Sequence, residues 1–328
     1  MRYSAAVIRV ERAGACVYEA TFGTTTRAPD GLRIACDTVF DLASLTKIFV
    51  STAALECVAG GLLALDAPLV RWVPEWRGRP HQTITLRMLL AHTAGMQSGA
   101  DYRTLLNVNV GTFALTAELA ARPGERVIYS DLGFIALGLI LERTTGTSLA
   151  SVVAGLCLRL QIDDVAYGTR GRDRRSIPAT EFDAWRGLVQ GFVHDEKAYL
   201  MNGISGHAGL FGSARAVARL TDAYLAALAG RGGALDPQLA RAAVELAADD
   251  PILRRGLGWA LKTSDENSCG ARMSSATFGH TGFTGTSVWA DPARDCSVTL
   301  LTNAVHFGRV DIRAVRAAVC DAAIEAMG

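Results

Sequence analysis

The stretch Phe40-Asp41-Leu42-Ala43-Ser44-Leu45-Thr46-Lys47 leads into a long apolar segment and holds one of only three lysines among the 33 basic residues of the chain. An arginine stays charged in a protein, whereas a lysine can lose its proton when it is desolvated or lies near another cation. Ser44 and Lys47 are one helical turn apart, so the hydroxyl and the amine would share one face of the helix that the apolar segment predicts. This spacing predicts a serine nucleophile that is activated without histidine.

The S-x-x-K spacing is a weak signal by itself, because 16 serines and three lysines in 328 residues give roughly 0.15 chance occurrences. Ser44 could instead cap the helix, and Lys47 could extend to solvent. Two further motifs supply partners for the pair. Tyr129-Ser130-Asp131 precedes a predicted helix, and His280-Thr281-Gly282 lies on or just before the first strand of a predicted C-terminal hairpin.

Composition and charge exclude several function classes. Half of the 328 residues are hydrophobic and the net charge is +1, so neither nucleic acid nor an anionic membrane is favoured as a partner. No run reaches the ~18 apolar residues of a membrane span. Charged residues at Arg9, Glu11 and Arg12 interrupt the apolar core that an export signal requires, which predicts a cytoplasmic protein, or a periplasmic one if a leader was removed. The scattered cysteines and histidines form no ligand pattern, so we expect no metal and no cofactor.

The order of predicted elements is strands, helices, strands and a closing helix. We therefore expect an α+β fold in which strands from both ends of the chain form one antiparallel sheet, flanked by helices, with a mostly helical subdomain inserted. The expected division is residues 1–60 and 210–328 for the sheet subdomain and 61–209 for the helical one, with the active site at their junction. The elements on which this prediction depends are strands at 5–10, 16–22, 256–262, 282–290 and 296–303, and helices that begin at Ser44, Thr85, Thr116, Ser130, Ser148, Ser213 and Val310.

With these motifs in place, the chain resembles the serine β-lactamase and penicillin-binding-protein superfamily. It is most similar to the branch of class C β-lactamases, D-alanyl-D-alanine carboxypeptidases and β-lactamase-like esterases. The resemblance covers about residues 37 to 303. Its further matches are Ile84 to Met96, Pro123 to Gly133, His194-Asp195 and Gly206 to Phe211.

The resemblance implies a role for each motif residue. Ser44 would attack a carbonyl carbon and form an acyl-enzyme, Lys47 would act as base if burial lowers its pKa, and Tyr129 would relay protons to the leaving group. The substrate would lie against Asp131, His280, Thr281, Gly282 and Phe283, and the amides of Ser44 and Phe283 would bind the oxyanion. We expect His92, His194 and His207 to brace loops near the site.

Two positions depart from the β-lactamase pattern and shape the expected substrate. His280 replaces the lysine of K-T-G, which removes a permanent positive charge, and Asp131 replaces the asparagine of Y-x-N, which adds a negative charge. We therefore rank a small ester or acyl transfer first, a D-amino-acid peptide second and a β-lactam third. A biosynthetic acyltransferase and an inactive peptide-binding scaffold stay open as alternatives, and the sequence does not decide the oligomeric state or the role of residues 161–200.

Overall fold

A six-stranded antiparallel sheet forms the centre of the fold in the computed structural model, which describes residues 3–252, 254–264, 267–308 and 310–328. Smaller sheets of three and two strands accompany it. The strands are β1 (Ala5–Arg12), β2 (Ala15–Gly23), β3 (Phe40–Asp41), β4 (Val165–Tyr167), β5 (Glu181–Asp183), β6 (Gly187–Val189), β7 (Leu210–Gly212), β8 (Ala260–Leu261), β9 (Phe278–Thr281), β10 (Ser287–Asp291) and β11 (Cys296–Thr302). The helices are α1 (Thr46–Ala59), α2 (Leu86–Leu90), α3 (Val110–Thr116), α4 (Asp131–Thr145), α5 (Leu149–Arg159), α6 (Glu196–Leu200), α7 (Ala214–Leu228), α8 (Pro237–Val244) and α9 (Arg313–Met327).

The strand order joins the two ends of the chain, as the sequence predicts. The large sheet runs β2-β1-β11-β10-β9-β8, so β1 pairs directly with β11. Helix α7 packs on β1, β10 and β11, and α9 packs on β11. The expected α+β fold is therefore confirmed, whereas the subdomain boundaries at 60/61 and 209/210 stay a prediction.

Helix α1 runs through the core and carries Lys47 on its first turn. Most of its residues are buried, among them Ile48, Phe49 and Val50, and it packs against α4 and α5. A helix surrounded by protein must be apolar on nearly every side, which explains its apolar sequence. Within the described residues, no helix has both the length and the apolar character that crossing a bilayer requires.

Three predicted elements are wrong. The strand expected at 282–290 is a tight turn at 282–286 followed by β10, and a separate strand, β9, precedes the turn. The strand expected at 256–262 is only the two-residue β8. Thr116 ends α3 instead of capping a helix, because the side chain of Asn109 accepts the amide of Thr112 and starts that helix seven residues earlier.

The turn after β9 lies against the loop that carries Ser44. A side chain at Gly282 would approach the Leu42 carbonyl oxygen to 2.7 Å and the Thr286 hydroxyl to 2.0 Å, so only glycine fits there. The hydroxyls of Thr284 and Thr286 donate to the carbonyls of Asp41 (2.9 Å) and Leu42 (3.1 Å). These contacts fix the end of β9 beside Ser44.

Candidate active site

Ser44 lies on a single 3₁₀ turn, Ala43–Leu45, immediately before α1. Ala43 adopts a left-handed conformation (φ 47°), which is strained for an alanine and sharpens the turn. The carboxylate of Asp41 accepts the amide of Ala43 at 2.8 Å and the amide of His194 at 2.6 Å, and so holds the turn in place. Ser44 is partly exposed, whereas Lys47 is fully buried.

The amine of Lys47 donates to three oxygens. They are the Ser44 hydroxyl at 3.0 Å, Asp131 Oδ1 at 2.9 Å and the His207 carbonyl at 3.1 Å. This arrangement satisfies all three donors of an ammonium group. The hydroxyl and the amine are therefore in contact, as the S-x-x-K spacing predicts.

Lys47 would act as a base if burial lowers its pKa, but in this structure the pKa of Lys47 is raised on balance. Burial does lower it, but the carboxylate of Asp131 and the phenol of Tyr129 raise the pKa of Lys47 further, to a net value above the usual range of lysine. Burial raises the pKa of Asp131, yet the nearby ammonium of Lys47 holds it below its usual value. The pair is thus an ion pair, and Lys47 must lose a proton before it can accept one from Ser44.

Tyr129 lies beside this amine, just before the residue that caps α4. Its ring centre is 4.9 Å from Lys47 Nζ and 4.5 Å from the ring of His92. His92 Nδ1 accepts the amide of Ser130 at 3.0 Å, and the Ser130 hydroxyl accepts the amide of Gly133 at 2.9 Å as the N-cap. The hydrogen bonds that cap α4 at Ser130 therefore hold the Tyr129 phenol beside the Lys47 amine.

The end of β9 forms the opposite wall of the site. Ser44, Tyr129, His280, Thr281, Gly282 and Phe283 all border one cavity of about 960 Å³. The Phe283 side chain is half exposed and stacks on the ring of His194, 5.5 Å away. Asp131 differs from the other predicted residues, because it does not border this cavity and its carboxylate binds lysine.

His280 is buried and carries no charge at neutral pH. Burial and the nearby cations Arg255 and Lys47 hold the pKa of His280 well below its usual value. Nδ1 lies 2.8 Å from the Thr281 carbonyl, so that nitrogen carries the proton and Nε2 is a hydrogen-bond acceptor. The site therefore lacks a cation where the K-T-G pattern has one.

Sequence reasoning missed Arg255, a cation that the structure places at this cavity. Arg255 is 6 % exposed, and its guanidinium carbon lies 5.2 Å from the ring centre of Tyr129. Among the described residues, no carboxylate forms an ion pair with it, and its Nε has no hydrogen-bond partner. Burial lowers the pKa of Arg255, but an arginine stays charged. No local motif marks Arg255 in the sequence. Arginine is also common in this chain, so the residue type alone does not single it out.

Sequence reasoning also missed Lys197, which forms a second contact with Asp131. Its Nζ lies 3.4 Å from Asp131 Oδ2 and 3.1 Å from Asp195 Oδ2. Asp195 Oδ1 accepts His207 Nε2 at 2.7 Å, and the His207 carbonyl accepts Lys47. The five residues Lys47, Asp131, Lys197, Asp195 and His207 thus close a ring of contacts, called the polar ring below.

Within the described chain, Asp131, Asp195 and His207 approach one another closely enough to bind a metal ion together. The ammonium of Lys197 contacts both carboxylates, so a cation already neutralises them. The donor set fits a buried ion-pair network better than a metal centre.

Comparisons with known proteins identify the family of the chain. Residues 2–321 match the beta-lactamase family model. A putative D-alanyl-D-alanine carboxypeptidase of Escherichia coli K12 is 32 % identical over 82 % of this chain and 70 % of its own length, and esterase EstB of Burkholderia gladioli is 31 % identical over 94 % of this chain and 88 % of its own. Among solved structures, EstCE1, a hydrolase with promiscuous acyltransferase activity, has a TM-score of 0.79 at 22 % identity, covering 98 % of this chain and 94 % of its own.

The chain belongs to the beta-lactamase family. Its relatives include an esterase and a carboxypeptidase, and the class that the family and the fold define is a serine hydrolase.

Proposed function

We propose that this serine hydrolase cleaves small carboxylic esters through an acyl-enzyme on Ser44. The observation that carries the proposal is the 3.0 Å contact between the Ser44 hydroxyl and the Lys47 amine at the edge of a cavity large enough for a small acyl donor. The neutral His280 supports an ester without a charged group at that wall, and the 31 % identity to esterase EstB supports the same class.

The proposed reaction begins with the fraction of protein in which Lys47 is neutral. Ser44 Oγ forms a bond to the carbonyl carbon while its proton passes to Lys47, and the amides of Ser44 and Phe283 bind the oxyanion. The bond to the alcohol then breaks, and the leaving oxygen takes a proton that Tyr129 relays from Lys47. Water next attacks the acyl carbon and its proton passes through Tyr129 to Lys47. The bond between the acyl carbon and Ser44 Oγ then breaks, Lys47 returns that proton to Oγ, and the acid is released.

A labelling experiment tests this proposal. The protein is treated with a fluorophosphonate and its intact mass is measured, while hydrolysis of p-nitrophenyl acetate and butyrate is followed in parallel. We expect one adduct, on Ser44, and turnover of both esters. Ser44→Ala should lose both signals, whereas Ser264→Ala, which removes another hydroxyl bordering the same cavity, should keep both. Absence of an adduct on Ser44 in the wild-type protein would contradict the proposal.

Arg255 favours a second candidate, an acyl donor that carries a carboxylate, such as a peptide with a C-terminal D-amino acid. A buried guanidinium without a carboxylate partner among the described residues binds an anion through charge-assisted hydrogen bonds. The 32 % identity to a putative D-alanyl-D-alanine carboxypeptidase supports this candidate. Release of D-alanine from a D-alanyl-D-alanine peptide, with a kcat/KM above that for p-nitrophenyl acetate, would place the peptide first.

A further inference from the structure

Asp131 is shared by two ammonium groups. Lys47 Nζ lies 2.9 Å from Oδ1 and Lys197 Nζ lies 3.4 Å from Oδ2. Lys197 is buried, and although burial lowers its pKa, the carboxylates of Asp195 and Asp131 raise the pKa of Lys197 above its usual value. Lys197 is therefore charged at neutral pH, and it contacts the carboxylate that accepts a hydrogen bond from Lys47.

The rest of the polar ring fixes Lys197 in this place. Asp195 caps α6 by accepting the amide of Ala198 at 2.8 Å, and it binds both Lys197 and His207. The hydroxyl of Ser205 contacts His207 Nδ1 at 2.8 Å. The ring thus connects the first turn of α1 to the segment 194–207, which contains α6, through contacts that all involve charged or strongly polar groups.

We propose that Lys197 is a positioning residue for acylation: by sharing the Asp131 carboxylate, it weakens the hold of that carboxylate on the Lys47 proton. This inference rests on the proposed function. A carboxylate with one cation attracts that cation's proton more strongly than a carboxylate with two, because the second positive charge offsets part of the field at the first. Lys197 would then increase the fraction of protein in which Lys47 is neutral and can accept the proton of Ser44.

Other charged and titratable groups also face Lys47, but they do not replace this effect. Tyr129 lies on one side, and Arg255 lies beyond its ring. The remaining groups are His92 and His280, whose pKa values are held well below their usual range, and His207, Asp195 and Asp131 in the polar ring. Among these, only Asp131 directly connects Lys47 to a second lysine.

The pH dependence of kcat/KM for p-nitrophenyl acetate tests the role of Lys197. Lys197→Met should move the ascending limb of the profile to higher pH by about one unit and lower the rate at pH 7 about tenfold, with recovery towards the wild-type rate at high pH. Lys197→Arg, which keeps the charge, should restore the wild-type limb. A purely structural role would lower the rate equally at every pH and would leave the limb in place.

Two further variants distinguish a change in the pKa of Lys47 from simple misfolding. The double variant Lys197→Met with Asp195→Asn removes one positive and one negative charge together, and it should still shift to higher pH, by less than Lys197→Met alone. Asp195→Asn alone frees Lys197 to bind Asp131 more strongly, so its limb should move to lower pH. These opposite shifts cannot both arise from loss of structure.

Lys262→Met is the matched control, because Lys262 is also a buried lysine, with its amine bound to the carbonyls of Ala271 (3.1 Å) and Met273 (2.7 Å) outside the polar ring. The ascending limb of the pH profile of Lys262→Met should coincide with that of the wild type. If Ser44 is acylated in the wild type but the limb of Lys197→Met does not move, this inference is overturned while the proposed function stands. If the wild type acquires no adduct on Ser44 at any pH, the proposed function itself fails and the inference fails with it.

Discussion

The two walls of the candidate active site treat charge in opposite ways. In the polar ring, every ammonium contacts a carboxylate, with nitrogen–oxygen distances of 2.9 to 3.4 Å. On the opposite wall, Arg255 has no described carboxylate partner and His280 is neutral with an unpartnered Nε2. Paired buried charges hold groups in position, whereas an unpaired buried cation leaves its interactions available to a ligand. We infer that the polar ring prepares the nucleophile and that the Arg255 wall recognises the substrate.

Replacing Lys47 gives the largest expected effect on kcat/KM. Two replacements separate the charge of Lys47 from its ability to accept a proton. Lys47→Met removes both the ion pair and the proton acceptor. Lys47→Arg keeps a cation beside Asp131 but cannot accept a proton, because arginine does not lose its charge in a protein. We expect both variants to lower kcat/KM for p-nitrophenyl acetate by at least ~10³-fold. If Lys47→Arg keeps wild-type activity, the amine only pairs with Asp131 and does not transfer a proton.

Replacing Arg255 gives a smaller effect that depends on the substrate. Arg255→Met should reduce kcat/KM about 10- to 100-fold for an acyl donor with a carboxylate, because one charge-assisted contact is lost. For a neutral ester, kcat/KM should fall only a few-fold. The measurement is the ratio of the two values of kcat/KM in each variant.

The neighbouring arginine provides the matched control for Arg255. Arg254 also borders the cavity, but its guanidinium binds the Lys262 carbonyl at 3.1 Å and pairs with Asp249 at 3.3 Å. Arg254→Met should leave the ratio between the two substrates unchanged. An equal loss for both substrates in Arg255→Met would contradict a role in recognising an anion.

The sequence predicts one wall of the site much better than the other. The contact between Ser44 and Lys47 follows from helical spacing, whereas Tyr129 is assigned to the site through the family resemblance, with the cap at Ser130 fixing the start of α4 beside it. The turn at 282–286 could not be predicted in this way, because one of the two contacts that require Gly282 is with the distant Leu42 carbonyl.

Lys197 and Arg255 were both missed, but for different reasons. The scarcity of lysine, which singled out Lys47, applies equally to Lys197, so a signal for Lys197 was present in the sequence and was not used. Arg255 is one of many arginines, and only its burial beside Tyr129 distinguishes it. The polar ring itself depends on contacts between residues up to 160 positions apart, such as Lys47 and the His207 carbonyl.

The smallest expected effect is on stability and concerns Asp222, a carboxylate outside the site. Like Arg255, Asp222 is largely buried without an ion-pair partner among the described residues. Asp222 on α7 is largely buried, and neither of its oxygens has a hydrogen-bond partner among the described residues. Burial raises the pKa of Asp222 to about 7, with a further contribution from Glu11. The folded protein therefore binds a proton that the unfolded chain releases near pH 4, so this group lowers the free energy of unfolding as pH rises from about 4 to 7.

Asp222→Asn removes this penalty, because the amide stays neutral at every pH. We expect the variant to be more stable than the wild type at pH 8 by about 1 kcal/mol, which corresponds to a Tm higher by about 1.5 °C for a chain of this length, and to differ less at pH 5. Asp164→Asn is the control, because that carboxylate is paired with Arg172 and Arg215, each at 2.9 Å, and its loss should not raise Tm. A Tm for Asp222→Asn that is no higher than that of the wild type at pH 8 would show that the unpaired carboxylate costs the fold nothing. Unpaired charge would then be tolerated in this protein without serving a ligand, and the argument from Arg255 would lose its force.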